Sequence, residues 1–206
     1  MATTEELLQT ILQSLEKVEY IKSEDIPNID LYMDQVLTFM DRKLRSAVRP
    51  QTEDRVLTKT MINNYTKNHL LPPSDKKKYS REHMLLLVFI YYFKNMLSFH
   101  DIEALFAPIT EGHFMDASGL SLQDIYEEVF SMEYEQMKRL KEDLLRKFHA
   151  SEESFTDQKE DKDYLQLFTF ICALGFDVFL KKQAMEMLID QIREDYPVDH
   201  SKKKKS

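Results

Sequence analysis

Between Thr58 and Arg81 the chain spaces short polar and basic side chains in a way that suits contact with an anionic polymer. The segment Thr58-Lys-Thr-Met-Ile-Asn-Asn-Tyr-Thr-Lys-Asn68 sets Lys59, Thr60, Asn63, Asn64 and Lys67 against Met61, Ile62 and Tyr65 at helical spacing. An Asn side chain can make two hydrogen bonds to the edge of adenine, and Thr and Lys reach phosphate or base edges. Lys76, Lys77 and Lys78 follow the rigid Pro72-Pro73 pair, and Arg81 comes just after them, which places cations where a nucleic-acid backbone would pass. From Arg42 to His83 eleven Lys or Arg face four acids, a net of +7 in a chain whose total is −8. A basic patch in an otherwise acidic protein implies a directed anionic partner, here double-stranded DNA, with a solvated basic face as the plain alternative.

Other chemistries find little support. No CxxC, HExxH or His-x-Glu spacing is present, and the six histidines are scattered, so no metal site, catalytic set or cofactor is expected. Cys172, the only cysteine, lies in the apolar LFTFICALGF and reads as a small packed side chain rather than a nucleophile. The aromatics Phe168, Phe170, Phe176 and Phe179 around it read as core before they read as a ligand pocket. No uninterrupted run of about 18 apolar residues occurs, so no transmembrane helix and no membrane partner are expected. The opening MATTEELLQTIL puts no basic segment before an apolar one, which predicts no signal peptide and a reducing, cytoplasmic setting.

The elements that must position the basic segment read as helices throughout. Three glycines and six prolines among 206 residues are too few for a turn-rich β-protein, and the chain is expected to be all-α with at most a two-strand wing. Apolar spacing predicts helices over 4–19, with Thr3 and Glu6 as a capping box, over Asp30–Ala47, and over Thr58–Asn68. After Leu70-Leu71-Pro72-Pro73, Ser80 starts a helix that is apolar nearly all round, and Ser98 caps a shorter one. Residues 108–119 are looser, which puts a boundary near 110. Ser121 then opens one long helix to His149 with a stripe of Tyr126, Phe130, Tyr134, Met137, Leu140, Leu144 and Phe148. Tyr164 to Leu180 reads as a buried helix, kinked or broken near Gly175, and 181–195 as an amphipathic one. The domains expected are 1–110, 111–200 and a disordered lysine tail at 201–206.

The order TKTMINNYTKNHLLPP, KKKYS, EHMLLLVFI, SFHDIEALF resembles the DNA-binding domain of the MerR-type transcriptional regulators. In those proteins a recognition helix ends in Tyr and is followed by Gly-Leu-Leu-Pro-Pro, a basic wing ending in Tyr, and an apolar helix. Here Tyr65, Leu70-Leu71-Pro72-Pro73 and Tyr79 stand in that order, followed by Met84, Leu87, Phe89 and Ile90 at the offsets of the pattern. His69 stands where those proteins carry the glycine. More narrowly, IPNIDLYMDQV followed by LTKTMINNYTKNHLLPP and KKKYSREHMLLL resembles a bacterial family, mostly from Firmicutes, known as domain of unknown function family 1836, over roughly 25–130.

The resemblance implies a MerR-like winged helix-turn-helix in 1–110 and a C-terminal helical bundle or dimerisation region. It implies a DNA-binding transcriptional regulator, with Lys59, Thr60, Asn63, Asn64 and Lys67 in the groove and Lys76, Lys77, Lys78 and Arg81 on phosphates. It also implies a homodimer through 121–149, a stripe that would serve equally as the core of one copy. The alternative is a protein–protein interaction adaptor that reuses the scaffold without DNA.

Overall fold

The structure is a computed structural model, and it describes residues 4–16, 20–45, 56–114 and 119–197, apart from the side chains of 133 and 134. Thr3, Val18, Ala47 and the lysine run 201–206 lie outside those residues. Along the chain the elements are α1 (Thr4–Glu16), β1 (Leu31–Tyr32), α2 (Met33–Leu44), α3 (Lys59–Lys67), β2 (Lys78–Tyr79), α4 (Arg81–Phe93), α5 (Phe99–Gly112), α6 (Leu122–Ser131), α7 (Glu133–Glu152) and α8 (Lys162–Asp195). The described residues are mostly helical, with one small antiparallel sheet. They form two compact units: 21–130 with the chain from 185 onward, and the chain up to 20 with 131–184.

The first unit is built around α4. Its residues from His83 to Ile90 are all buried, so the helix is enclosed on every side. Apolar faces of the neighbouring elements close over it: Val36, Leu37, Met40 and Leu44 from α2, Ile62 and Tyr65 from α3, Ile102, Ala104 and Phe106 from α5, and Tyr126 from α6. Phe89 sits among rings, with Phe106, Tyr126 and Phe130 centroids 5.2 to 5.6 Å away. Ser98 caps α5: its Oγ accepts from the Asp101 N–H, and the Asp101 carboxylate accepts from the Ser98 N–H. Such a box satisfies two orphan donors of a helix start. From the far end of α8, Arg193 reaches the same Asp101 at 2.5 Å.

Local pattern and structure part company at four places. The residues just before α2 are extended rather than helical, because Leu31 and Tyr32 pair with Tyr79 and Lys78 as β1 and β2. The helix begun at Ser98 does not loosen at 108; it runs through Pro108 to Gly112, forgoing the one bond that the proline nitrogen cannot donate. The long helix expected over 121–149 is broken at Met132 into α6 and α7. Tyr126 and Phe130 belong to the core around α4, whereas Leu144 and Phe148 belong to a second core.

The fourth difference lies in the second unit, where α1, α7 and α8 share a small core of Leu8, Leu144, Phe148 and Phe170. Phe148 and Phe170 meet edge to face at 5.6 Å. Lys147 of α7 binds both Asp143 and Asp177. Here α8 is continuous through Gly175 and, apart from Phe170, is not buried between 164 and 180. Phe168, Phe176 and Phe179 are exposed rather than core, and Cys172 is half-buried. Gln166, Thr169, Gly175 and Asp177 interrupt its apolar run, so the sequence here holds no uninterrupted apolar span. As one element it is long and apolar enough to cross a membrane by length and composition.

Candidate nucleic-acid interface

The basic segment is carried by α3 and by the turn that joins it to α4. Thr58 starts α3: its Oγ1 accepts from the Met61 N–H at 3.2 Å and its carbonyl from the Ile62 N–H at 3.1 Å. Ile62 and Tyr65 are buried and Met61 half-buried, and Tyr65 meets Phe99 edge-on at 6.1 Å. With that side fixed, Lys59, Thr60, Asn63, Asn64 and Lys67 are all exposed on the other, and α3 carries no acid. The structure therefore brings all five groove candidates onto one helix face.

The end of α3 is a tight stop. The Leu70 N–H reaches the Tyr65 carbonyl at 2.9 Å and the His69 N–H reaches that of Thr66 at 3.2 Å, the two bonds of a Schellman motif. That motif needs a left-handed residue, and His69 supplies it with φ 58°. The glycine expected from the MerR pattern is thus replaced in residue type, yet the backbone holds the conformation that favours glycine.

The following turn repeats the device. The Lys78 N–H bonds to the Asp75 carbonyl at 2.8 Å, and Lys76 and Lys77 between them have φ 47° and 66°. Two consecutive left-handed residues make a tight hairpin turn, where Asn-Gly is the usual choice. Both lysines are exposed at the tip. Lys78 differs: it is half-buried, and its Nζ lies 5.4 Å from the centre of the Tyr32 ring. Arg81 is also half-buried and donates to the Ser23 carbonyl at 2.7 Å, with its Nε buried and unpartnered. The four cations expected on phosphates therefore fall into two at the tip and two with partners inside the unit.

His83 ties the turn to α4. Its Nδ1 accepts from the Ser80 N–H at 3.1 Å, which leaves Nε2 to donate to the Pro73 carbonyl at 3.4 Å. Its ring stands edge-on to Tyr79 at 5.6 Å and Phe114 at 4.8 Å. Burial holds this imidazole below its ordinary pKa, against weaker pulls upward from the Pro73 and Pro72 carbonyls and from Glu82 and Asp30. Sequence reasoning passed over His83, although Ser80-x-x-His83 has the spacing of a capping box with an imidazole in place of the usual Glu. Among the described residues no three His, Cys, Asp or Glu side chains gather to hold a metal ion.

A family model described as "Domain of unknown function (DUF1836)" matches residues 21–129. The chain belongs to that family. The DUF1836 match takes in α2, α3, the turn, α4 and α5 together, so the whole basic segment and its supporting core lie inside it. No curated protein and no solved structure matches the chain.

Proposed function

We propose that this DUF1836 protein is a DNA-binding transcriptional regulator and that 21–114 acts as a MerR-like winged helix-turn-helix. The observation that carries the reading is the clean division of α3. Five polar or basic side chains share one exposed face, and the opposite face is locked into the core. A helix that enters the major groove needs that division, together with short side chains that reach base edges. Lys59, Thr60, Asn63, Asn64 and Lys67 read the groove. Lys76 and Lys77 hold phosphate from the turn tip, and Lys78 and Arg81 support them from behind.

The test is an unbiased selection of duplex DNA by the purified full chain at moderate salt. Asn63→Ala or Asn64→Ala then relaxes the selected sequence, at about 1–3 kcal/mol per lost bidentate base contact. Lys76→Ala with Lys77→Ala leaves the preferred sequence alone and flattens the slope of log affinity against log salt by about two units. Wild-type protein that enriches no sequence, with a salt slope indifferent to both lysines, overturns the reading. A protein-interaction adaptor then takes its place, a role favoured by one observation: Lys78 and Arg81 are engaged within the unit.

A further inference from the structure

We infer that the exposed seam of α8 is a homodimer interface in which two copies of this chain lay their α8 helices antiparallel across a two-fold axis. The seam is read from residues that the fold leaves uncovered. Tyr164, Phe168, Ile171 and Val178 are 65, 52, 57 and 61% exposed, and Phe179 beside them is 54% exposed. With Gly175 and Lys182 the positions run 164, 168, 171, 175, 178, 182, spaced four, three, four, three, four. That is the repeat by which two helices interlock side chains over a long contact. Among the described residues no neighbouring atom lies within 4 Å of the place a Cβ would take at Gly175, so the seam holds an open notch at its middle.

Three features select a second copy as the occupant. The first is self-complementarity. An antiparallel pairing about residue 173 sets Ile171 over the notch at Gly175 of the second copy, Phe168 against Val178, and Tyr164 against the stem of Lys182. The second is charge. Glu160, Asp161 and Asp163 outnumber Lys159 and Lys162 just before the seam, and Lys181 and Lys182 close its other end. Antiparallel helices put each acidic end beside a basic end, whereas parallel ones would face like with like. The third is area. Five apolar side chains exposed by half or more leave on the order of 100 Å² each, so two copies together bury about 1,000 Å², the lower bound for a specific interface.

A bilayer fits less well, although α8 is apolar enough to span one. Along its other side α8 is packed on α7 through Phe148 and Phe170 and through the Lys147–Asp177 pair. Carrying that side into hydrocarbon would take Lys138, Arg139, Glu142 and Arg146, exposed on α7, with it. The inference stands apart from DNA binding, since the seam shares no residue with α3 or the turn.

The experiment is sedimentation equilibrium of the full chain at micromolar concentration, with flotation on phosphatidylcholine vesicles alongside. Wild type is expected at twice the 24.6 kDa chain mass and absent from the floated fraction. Ile171→Asp, at an exposed site and therefore folded by circular dichroism, is expected to raise the dimer dissociation constant at least about 100-fold. Asp161→Lys with Asp163→Lys, or Lys181→Glu with Lys182→Glu, is expected to weaken the dimer about tenfold, and all four changes together to restore it. A monomer throughout, a dimer that ignores Ile171→Asp, or flotation that Ile171→Asp abolishes would each overturn the inference. A dimer in which the four-fold charge reversal restores nothing overturns the antiparallel arrangement.

Discussion

Helices α4 and α8 are both apolar for most of a turn-after-turn stretch, and they meet opposite fates. In α4 eight consecutive residues are buried, His83 among them. In α8 the stretch from Tyr164 to Leu180 buries Phe170 alone and exposes seven large apolar side chains. Composition does not separate them; neighbours do. Around α4 the chain supplies faces from α2, α3, α5 and α6, within about 45 residues on either side, with Ile189 from the end of α8 added to the same core. Among the described residues, the first part of α8 receives single stripes from α1 and α7, and α7 carries charged residues along the rest of its length. An apolar helix is therefore a demand for partners, and the described residues meet that demand for α4 and not for the stretch 164–180 of α8.

The largest effect that separates the two helices is a truncation in each. Leu86→Ala in α4, at 0% exposure, is expected to cost about 2–5 kcal/mol of unfolding free energy. Phe176→Ala in α8, outside the seam, is expected to change it by about 0.5 kcal/mol or less. Urea denaturation of both variants checks the pair, and equal losses would show that α8 is buried in solution.

A smaller effect tests the approach to α4. Lys76→Asn with Lys77→Gly replaces two left-handed lysines by the residues such a turn favours, and is expected to stabilise the unit by about 1–2 kcal/mol. The same change removes two cations from the tip, so under the proposed DNA-binding role stability would rise while the salt slope of binding falls. No matching gain is available along α8, where no described non-glycine residue within the helix has a left-handed backbone.

A third test uses pH. Because His83 has its pKa lowered by burial, the folded state holds it neutral while the unfolded chain takes up a proton at about pH 6.5. Stability is thus complete above that value and falls as pH drops through and below it, down to the folded pKa. The melting temperature is expected to decline from pH 7 to pH 5, and His83→Gln to show a shallower decline. Over the same range α8, with no histidine in its length, contributes no such step.

The smallest effect sharpens the contrast most. Gly175→Ala fills open space in a helix interior and is expected to stabilise a single copy by about 0.5–1 kcal/mol. If Ile171 of a second copy occupies that notch, the same methyl weakens the dimer. Opposite signs in urea denaturation and sedimentation would tie the glycine to the interface.

What the sequence discloses follows the range of the interactions involved. Helix α3 is legible almost to the residue, expected over 58–68 and found over 59–67, because Thr58 as a cap and the polar–apolar division are both local. Met84, Leu87, Phe89 and Ile90 are buried, as expected of a helix that is apolar nearly all round. Strand β1 is not legible, since two residues become extended only by pairing with a segment 46 positions away. The break at Met132 carries no glycine or proline, and the stripe on either side of it serves two different cores. The exposed face of α3 was readable from spacing. The inward partners of Lys78 and Arg81, Tyr32 and Ser23, come from the far end of the unit and were not. For α8, apolar composition announces burial but cannot say whether this chain or another provides it.

The left-handed backbone at His69 bears on how the coding sequence is allowed to drift. With φ at 58°, this position accepts glycine, asparagine and aspartate readily and penalises every β-branched residue. A saturation library read by abundance in the cell would therefore show a narrow, ordered tolerance at 69, with glycine above the native histidine and valine, isoleucine and threonine at the bottom. The exposed neighbours Lys67 and Asn68 would vary freely in the same assay. Position 69 thus acts as a filter imposed by backbone handedness, and the filter operates whatever the α3 face binds.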